Sequence, residues 1–316
     1  MRFLLDTEQR AFADSLHAML TAADTPAAIR DWSRGDHASG RALWRRVAGA
    51  GVFGLVVPEE YGGLGPRPVD LAVAFVELGR HAVPGPLAET VAAAVLLGED
   101  RPAKRFLPGL AAGETIATVA APTGYALDGD AATLHLTPGA EGLHLSPGAG
   151  PVRRSLDPAR RLTPLAPGGE LLTPGPSTAH ALTWARLAIA AQALGVGLAL
   201  LDRTVEHVRQ RTQFGVPIGS FQAVKHRLAD AKIALEFARP LLFGAAVSLR
   251  PADVAAAKLR TCEAAYATAR TALQLHGAIG YTAEFDLSLW LTRARALRTA
   301  WGTPAECRDT VLEGAG

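Results

Sequence analysis

Arg211-Thr-Gln-Phe-Gly-Val-Pro-Ile-Gly-Ser-Phe-Gln-Ala-Val-Lys-His-Arg-Leu-Ala-Asp230 is the stretch that decides the fold. It lies between two long segments of helical period, about Ala179 to Arg211 and Phe221 to Leu249, and breaks them with Gly215, Pro217 and Gly219. Arg211 therefore ends one helix beside a turn. Such a turn offers a planar guanidinium and backbone N–H groups to a pyrophosphate. Phe214 and Phe221 can form an apolar wall for an adenine ring. Lys225 and His226 come early in the following helix, where solvent exposure explains them, and they are assigned no chemistry.

Working downstream, the helical period resumes over Pro251 to His276 and Phe285 to Ala300, and Pro251 suits a first turn, where its missing N–H costs nothing. The third of these helices ends in Gln274-Leu-His-Gly-Ala-Ile-Gly-Tyr-Thr282, where Gly277 lets a ligand or another chain approach the backbone closely. Upstream, the period starts after Pro176, with Ser177 or Thr178 as N-cap. Residues 178–316 are thus predicted to form a C-terminal four-helix bundle.

Residues 113–177 have a different texture. Thr115 to Ala120, Ala132 to Leu136 and Leu143 to Leu145 are short strand-like runs between Pro/Gly turns, which predicts a reduced central β domain. Before it, residues 1–112 read as an N-terminal helical domain, with apolar residues at helical spacing over Ala11–Leu20, Leu43–Phe53, Val69–Leu78 and Leu87–Leu97. Within that domain Leu55-Val-Val-Pro-Glu-Glu-Tyr-Gly-Gly-Leu-Gly65 reads as an ordered connection. The fold class is mainly α with a small β domain.

Composition narrows the function. A 49% hydrophobic chain of 316 residues can bury a substantial core. Basic residues number 32 against 30 acidic, and Arg293, Arg295 and Arg298 sit at helical spacing rather than in a cationic run, which argues against nucleic acid as partner. The charged N-terminus resembles no secretory signal, and the apolar stretch Leu187–Leu201 is short for a bilayer span, so no membrane association and a cytoplasmic location are expected. Cys262 and Cys307 are the two cysteines, with no metal-type spacing, and His180 and His207 lack neighbouring ligands in sequence; no metal site is expected.

The Arg211–Asp230 and Gln274–Thr282 stretches resemble signatures of the acyl-CoA dehydrogenase family of flavoproteins. Leu55–Gly65 is similar to that family's VPEEYGG loop, and Ser155-Leu-Asp-Pro-Ala-Arg-Arg161 to the segment closing its β domain. The resemblance covers nearly the whole chain in the family's order. It implies an acyl-CoA dehydrogenase-like fold and FAD shared at a subunit interface. The implied contacts to a neighbour's cofactor are Arg211, Gln213, Phe214, Phe221, Gln222, Gln274, Leu275, Gly277 and Ala278, the last standing where the family usually has glycine.

The family's reaction needs a carboxylate that removes a proton alpha to the thioester carbonyl, and the resemblance points to two places for it. Neither holds an acid: Trp301, before Gly302-Thr303, stands at one and Ala185, before Arg186, at the other. Glu306 remains as a candidate near the first. The stretch Ala120-Ala-Pro-Thr-Gly-Tyr125 also keeps little of the family's TEPxxGSD-type loop. This pattern resembles the non-catalytic subunit of actinobacterial heteromeric (α2β2) acyl-CoA dehydrogenases, whose partner, a homologous subunit, carries the catalytic Glu. The implied substrate is an acyl-CoA, with bulky or steroid side chains among the candidates. Three alternatives stay open: a homo-oligomeric, monooxygenase-like flavoenzyme needing no carboxylate, a conventional dehydrogenase using Glu306 or another acid, and a flavin-free assembly subunit.

Overall fold

In the computed structural model, residues 5–98, 100–120, 124–175 and 178–314 are described. The N-terminal third is helical: α1 (Thr7–Thr21), α2 (Thr25–Arg34), α3 (Ala38–Gly49), α4 (Pro68–Arg80), α5 (Leu87–Leu96) and α6 (Asp100–Ala111). Asp6 starts α1 through a capping box with Gln9, and Asp24 caps α2 by accepting from the Ala27 N–H at 3.1 Å. The periodicity picks out α1, α3, α4 and α5. It passes over α2 and α6. The Leu55–Gly65 connection is ordered, held by Leu64 N–H to Gly54 O and Arg67 N–H to Leu55 O, both 2.8 Å.

The β region contains β1 (Ala117–Val119), β2 (Tyr125–Leu127), β3 (Leu134–Pro138), β4 (Gly142–Leu145), β5 (Leu162–Pro164) and β6 (Glu170–Pro174). One sheet has the order β1-β3-β4-β6, with β1 and β3 parallel and the later neighbours antiparallel; β2 and β5 form a separate antiparallel pair. The expected runs contain β1 and overlap β3 and β4. Strands β2, β5 and β6 are three to five residues long and add to them.

The C-terminal half is α7 (Thr178–Gln210), α8 (Gln222–Ser248), α9 (Pro251–His276), α10 (Leu287–Leu297) and α11 (Pro304–Glu313), with the hairpin β7 (Thr212–Gln213) and β8 (Val216–Pro217) between α7 and α8. Of the two N-cap candidates, Ser177 lies outside the described residues and Thr178 is the first residue of α7. The fourth expected helix is shorter than its apolar pattern: α10 stops at Leu297, and α11 follows a turn at Trp301 and Gly302. Thr303 and Glu306 start α11 with a capping box.

Helix α7 is 33 residues long and apolar enough to cross a membrane, but its apolar stretch is wholly buried inside the protein. It is the axis of the molecule, packed between α4 on one side and α9 on another. Its crossing with α4 is backbone on backbone. A Cβ at Gly195 would lie 1.9 Å from Val76 O, and one at Gly79 2.2 Å from Gln192 O, so both positions exclude every side chain. A second tie is the buried ion pair of Arg293 on α10 with Asp157, in the segment after the sheet. Arg293 Nη1 also donates to Val83 O at 3.1 Å, joining the two helical parts and the β region at one guanidinium.

Candidate functional site

Two regions concentrate the functional residues, one on the surface and one buried. The surface region lies where α7 and α9 end side by side: His207, in the last turn of α7, stacks on His276, in the last turn of α9, with ring centroids 4.0 Å apart. His207 is thus not isolated, contrary to the sequence reading. Burial lowers the pKa of both rings, so the stack is neutral at physiological pH. His276 Nδ1–H donates to Ala272 O at 2.8 Å, which fixes its tautomer. His180 likewise has a partner, its Nε2 accepting from Trp184 Nε1 at 3.1 Å.

From this end project the two expected motifs. After α7, the β7–β8 hairpin turns through Phe214 (φ 54°) and Gly215 (φ 80°), both left-handed as a two-residue hairpin turn of this type requires, and Ile218 N–H closes onto Arg211 O at 2.8 Å. Arg211, Gln213 and Gln222 are exposed. Phe214 is 92% exposed and meets Phe221 edge to face at 6.3 Å. An ordered turn that holds a phenylalanine in solvent loses apolar burial worth roughly 1.5–3 kcal/mol. With Phe221, Ile279 and Tyr281 also exposed, this end of the bundle presents a group of solvent-facing apolar side chains.

Helix α8 starts directly after Phe221 without any side-chain cap, leaving N–H groups of its first turn free for an external acceptor. Gln274 on α9 is exposed and its Oε1 accepts from Arg227 of α8 at 2.7 Å, bridging the two motifs. Gly277 caps α9 at φ 65°, ψ −139°, a conformation reserved for glycine. Beyond it Ala278 is exposed, Leu275 half-buried, and Ile279 and Tyr281 are 45% and 77% exposed. All nine residues expected to contact a neighbour's cofactor therefore cluster at one end of the bundle. None of them lines the buried region.

The buried region lies between the β strands, α5, α7 and the turn before α11. It holds two cavities, of about 570 and 720 Å³, both bordered by Val119, Leu182 and Trp301. Ala185 is fully buried on α7 and offers no polar atom. The next residue, Arg186, reaches over to donate from Nε to Trp301 O (3.0 Å) and from Nη1 to Thr310 Oγ1 (3.2 Å). Lys258, 1% exposed, donates to the neighbouring Gly302 O at 2.6 Å. Two cations thus hold the backbone of the turn, and Trp301 sits in it at φ 57°.

The Trp301 indole Nε1 donates to Glu89 Oε1 at 3.0 Å. Glu89 is 4% exposed in the first turn of α5 and borders the larger cavity; its other oxygen is buried with no hydrogen-bond partner, and Arg160 Nη2 lies 3.9 Å from Oε1. Sequence reasoning missed this carboxylate. A signal existed, because Glu89 is the one charged residue of the apolar run Leu87–Leu96. Glu306, the candidate acid of the sequence reading, also borders the cavity, but it is used structurally. Its Oε2 accepts the Thr303 N–H at 2.6 Å, and that bond, with the Thr303 hydroxyl, holds its pKa below the usual range. A carboxylate so held is a poor proton acceptor.

Asp128, fully buried near Glu89 and Arg160, accepts from Arg161 N–H at 2.9 Å, and burial pushes its pKa up to about 7. In the stretch 120–125, residues 121–123 lie outside the described residues. Among the described residues, the cavity combines a hydrogen-bonded carboxylate, Glu89, with Arg186, whose guanidinium is engaged by the backbone of the turn. It presents no free base at either expected position.

The family model described as acyl-CoA dehydrogenase, C-terminal domain, matches residues 176–316, and that described as acyl-CoA dehydrogenase, N-terminal domain, matches residues 6–114. Acyl-CoA dehydrogenase IpdE2 of Mycobacterium tuberculosis is 34% identical over 304 residues, covering 95% of this chain and 94% of that protein. Among solved structures, the ChsE4-ChsE5 complex from Mycobacterium tuberculosis superposes with a TM-score of 0.87 at 25% identity, covering 100% and 99% of the two chains. A variant of the Tcur3481-Tcur3483 steroid ACAD superposes at 0.84 with 26% identity, covering 98% of each.

Proposed function

We propose, from the premise that this chain belongs to the acyl-CoA dehydrogenase family, that it is the subunit of a heteromeric FAD-dependent acyl-CoA dehydrogenase that completes the ADP half of a partner's FAD site and contributes no base. The observation that carries this reading is the ordered hairpin holding Phe214 92% exposed, away from the chain's own cavity. Both similar complexes carry two names in their titles, and one is named a steroid ACAD. They support a homologous partner and a CoA thioester with a bulky, steroid-like acyl group as substrate; the catalytic Glu falls to that partner in this reading because Ala185 and Trp301 stand at this chain's own expected positions. Buried free thiols at Cys262 and Cys307 go with a cytoplasmic location.

The surface residues fit the ADP portion of FAD. Arg211 and the uncapped start of α8 suit a pyrophosphate, since a helix N-terminus carries partial positive charge and free N–H donors. Phe214 and Phe221 offer aromatic faces to adenine, while Gln213, Gln222 and Gln274 offer amides and Leu275, Gly277 and Ala278 line the approach. FAD, when bound, supplies the hydride acceptor for dehydrogenation. In the chain's own cavity, Ala185 cannot take a proton, and Trp301 spends its only polar hydrogen on Glu89.

The test is the FAD content per chain of this protein expressed alone and co-expressed with a homologous partner. Little flavin alone and restored flavin in the complex are expected; stoichiometric FAD on the lone chain defeats the reading. Glu89 favours a second reading, in which the chain's own cavity uses that carboxylate as base. Replacing Glu89 by Gln in the assembled complex separates the two, because an unchanged turnover number removes the second.

A further inference from the structure

Away from both regions, α1 and α4 bring three potential ligands to one point. Glu77 and His81 are four residues apart, on the same side of α4 and its C-terminal cap, and His17 reaches them from α1. His17 Nδ1 lies 3.1 Å from Glu77 Oε2 and 3.1 Å from His81 Nε2, and all three atoms fall within 4.8 Å of one another. With His17 and Glu77 60 positions apart, no spacing in the sequence announces the group.

Protons alone do not satisfy this arrangement. His17 Nδ1 carries either one proton or one lone pair, yet it faces two partners. If it is protonated, its single hydrogen is shared between the Glu77 carboxylate and the lone pair of His81 Nε2. If it is bare, His81 donates to it and the Glu77 carboxylate faces a lone pair. One positive centre among the three atoms satisfies every lone pair at once. Ligand atoms about 2.0–2.2 Å from a divalent ion sit roughly 2.8–3.1 Å from one another at octahedral angles and about 3.3–3.6 Å at tetrahedral ones, so the two 3.1 Å contacts match near-octahedral angles. The nearest competing cation, Arg80, is drawn aside by Asp202 at 2.7 Å and stays 3.9 Å from Glu77 Oε2.

We propose that His17, Glu77 and His81 form a divalent-cation site that takes Zn²⁺. Two imidazoles and a carboxylate suit an ion of intermediate softness, and the half-exposed His17 leaves the remaining positions to water. The ion cross-links α1 to α4, which otherwise meet through Leu16, Leu20 and the Gln9 to Asp70 hydrogen bond of 3.0 Å.

The experiment uses the untagged full chain, stripped with EDTA and titrated with Zn²⁺ by calorimetry and with Co²⁺ by visible absorbance. One equivalent of ion is expected, with a rise in Tm. Substituting His17→Ala, at an exposed position that folding tolerates, should raise the dissociation constant by at least about tenfold, as even the loss of an outer-shell partner does; His81→Ala should do the same. Absence of binding overturns the proposal, and so does Zn²⁺ binding that is unchanged in the His17 variant.

Discussion

The indole Nε1 of Trp301 and the carboxylate Oε1 of Glu89, 212 residues apart in sequence, meet at 3.0 Å inside the protein, and each is the other's direct polar partner at that point. Family resemblance puts a proton acceptor where Trp301 stands. This chain has a donor there, turned towards an acid supplied by another helix.

Removing only that donor should be costly. Trp301→Phe keeps an aromatic ring of smaller size but removes the indole N–H and leaves both Glu89 oxygens buried without a hydrogen-bond partner, and a loss of about 1–3 kcal/mol is expected in urea unfolding. Adding Glu89→Leu to it should recover part of that loss, since the buried oxygens without a hydrogen-bond donor are gone. A double variant less stable than Trp301→Phe alone would mean that the pair matters through packing instead.

At the exposed end of the bundle, stability and flavin binding should separate. Arg211→Ala and Phe214→Ala remove side chains that face solvent, so each should change unfolding free energy by no more than about 0.5 kcal/mol. In the co-expressed complex, each should lower the FAD-to-chain ratio. Full flavin in both variants would leave the hairpin an assembly surface only.

Asp128 should make stability fall as pH rises. Its folded pKa is about 7 against an ordinary 3.8, so between those values the folded chain keeps a proton that the unfolded chain has released. The group's contribution is fully present below pH 3.8 and is lost as pH climbs through 7, a change on the order of a few kcal/mol. Asp128→Asn should flatten the stability profile over that window. Parallel profiles for parent and variant would refute the assignment.

The Arg293 and Asp157 pair should behave as a buried ion pair whose partners depend on each other. Asp157→Ala leaves a guanidinium 4% exposed with only Val83 O to meet it, and a loss of about 3–5 kcal/mol is expected from denaturant unfolding. A loss below 1 kcal/mol would show that water reaches the site.

Much of the fold is legible in the sequence because burial imposes period. Helices α7, α8 and α9 are long enough for several turns of apolar repeat, and Pro251 and Gly277 mark ends that geometry enforces. The turn before α11 was not legible. Leu297, Ala300 and Trp301 continue the helical spacing of apolar residues while Trp301 takes a left-handed conformation that no local signal encodes. The surface motifs were readable because each is contiguous in sequence. Glu89 shows in the sequence as a lone charge in an apolar run, but its pairing with Trp301, the His207–His276 stack and the His17 cluster became visible only in three dimensions, since each depends on partners distant in the chain.

The backbone contact of α4 with α7 has a consequence for what this protein can change. At Gly79 and Gly195 the spacing of two layers is set by missing atoms, and the smallest added group would act as a wedge. Flank residues can drift, and the cavity and the outer hairpin can be retuned, without touching that gauge. A single methyl there would lever the N-terminal helices off α7, carrying α5 and Glu89 away from Trp301. The reach of one hydrogen bond at the cavity is thus calibrated by two residues that never approach it.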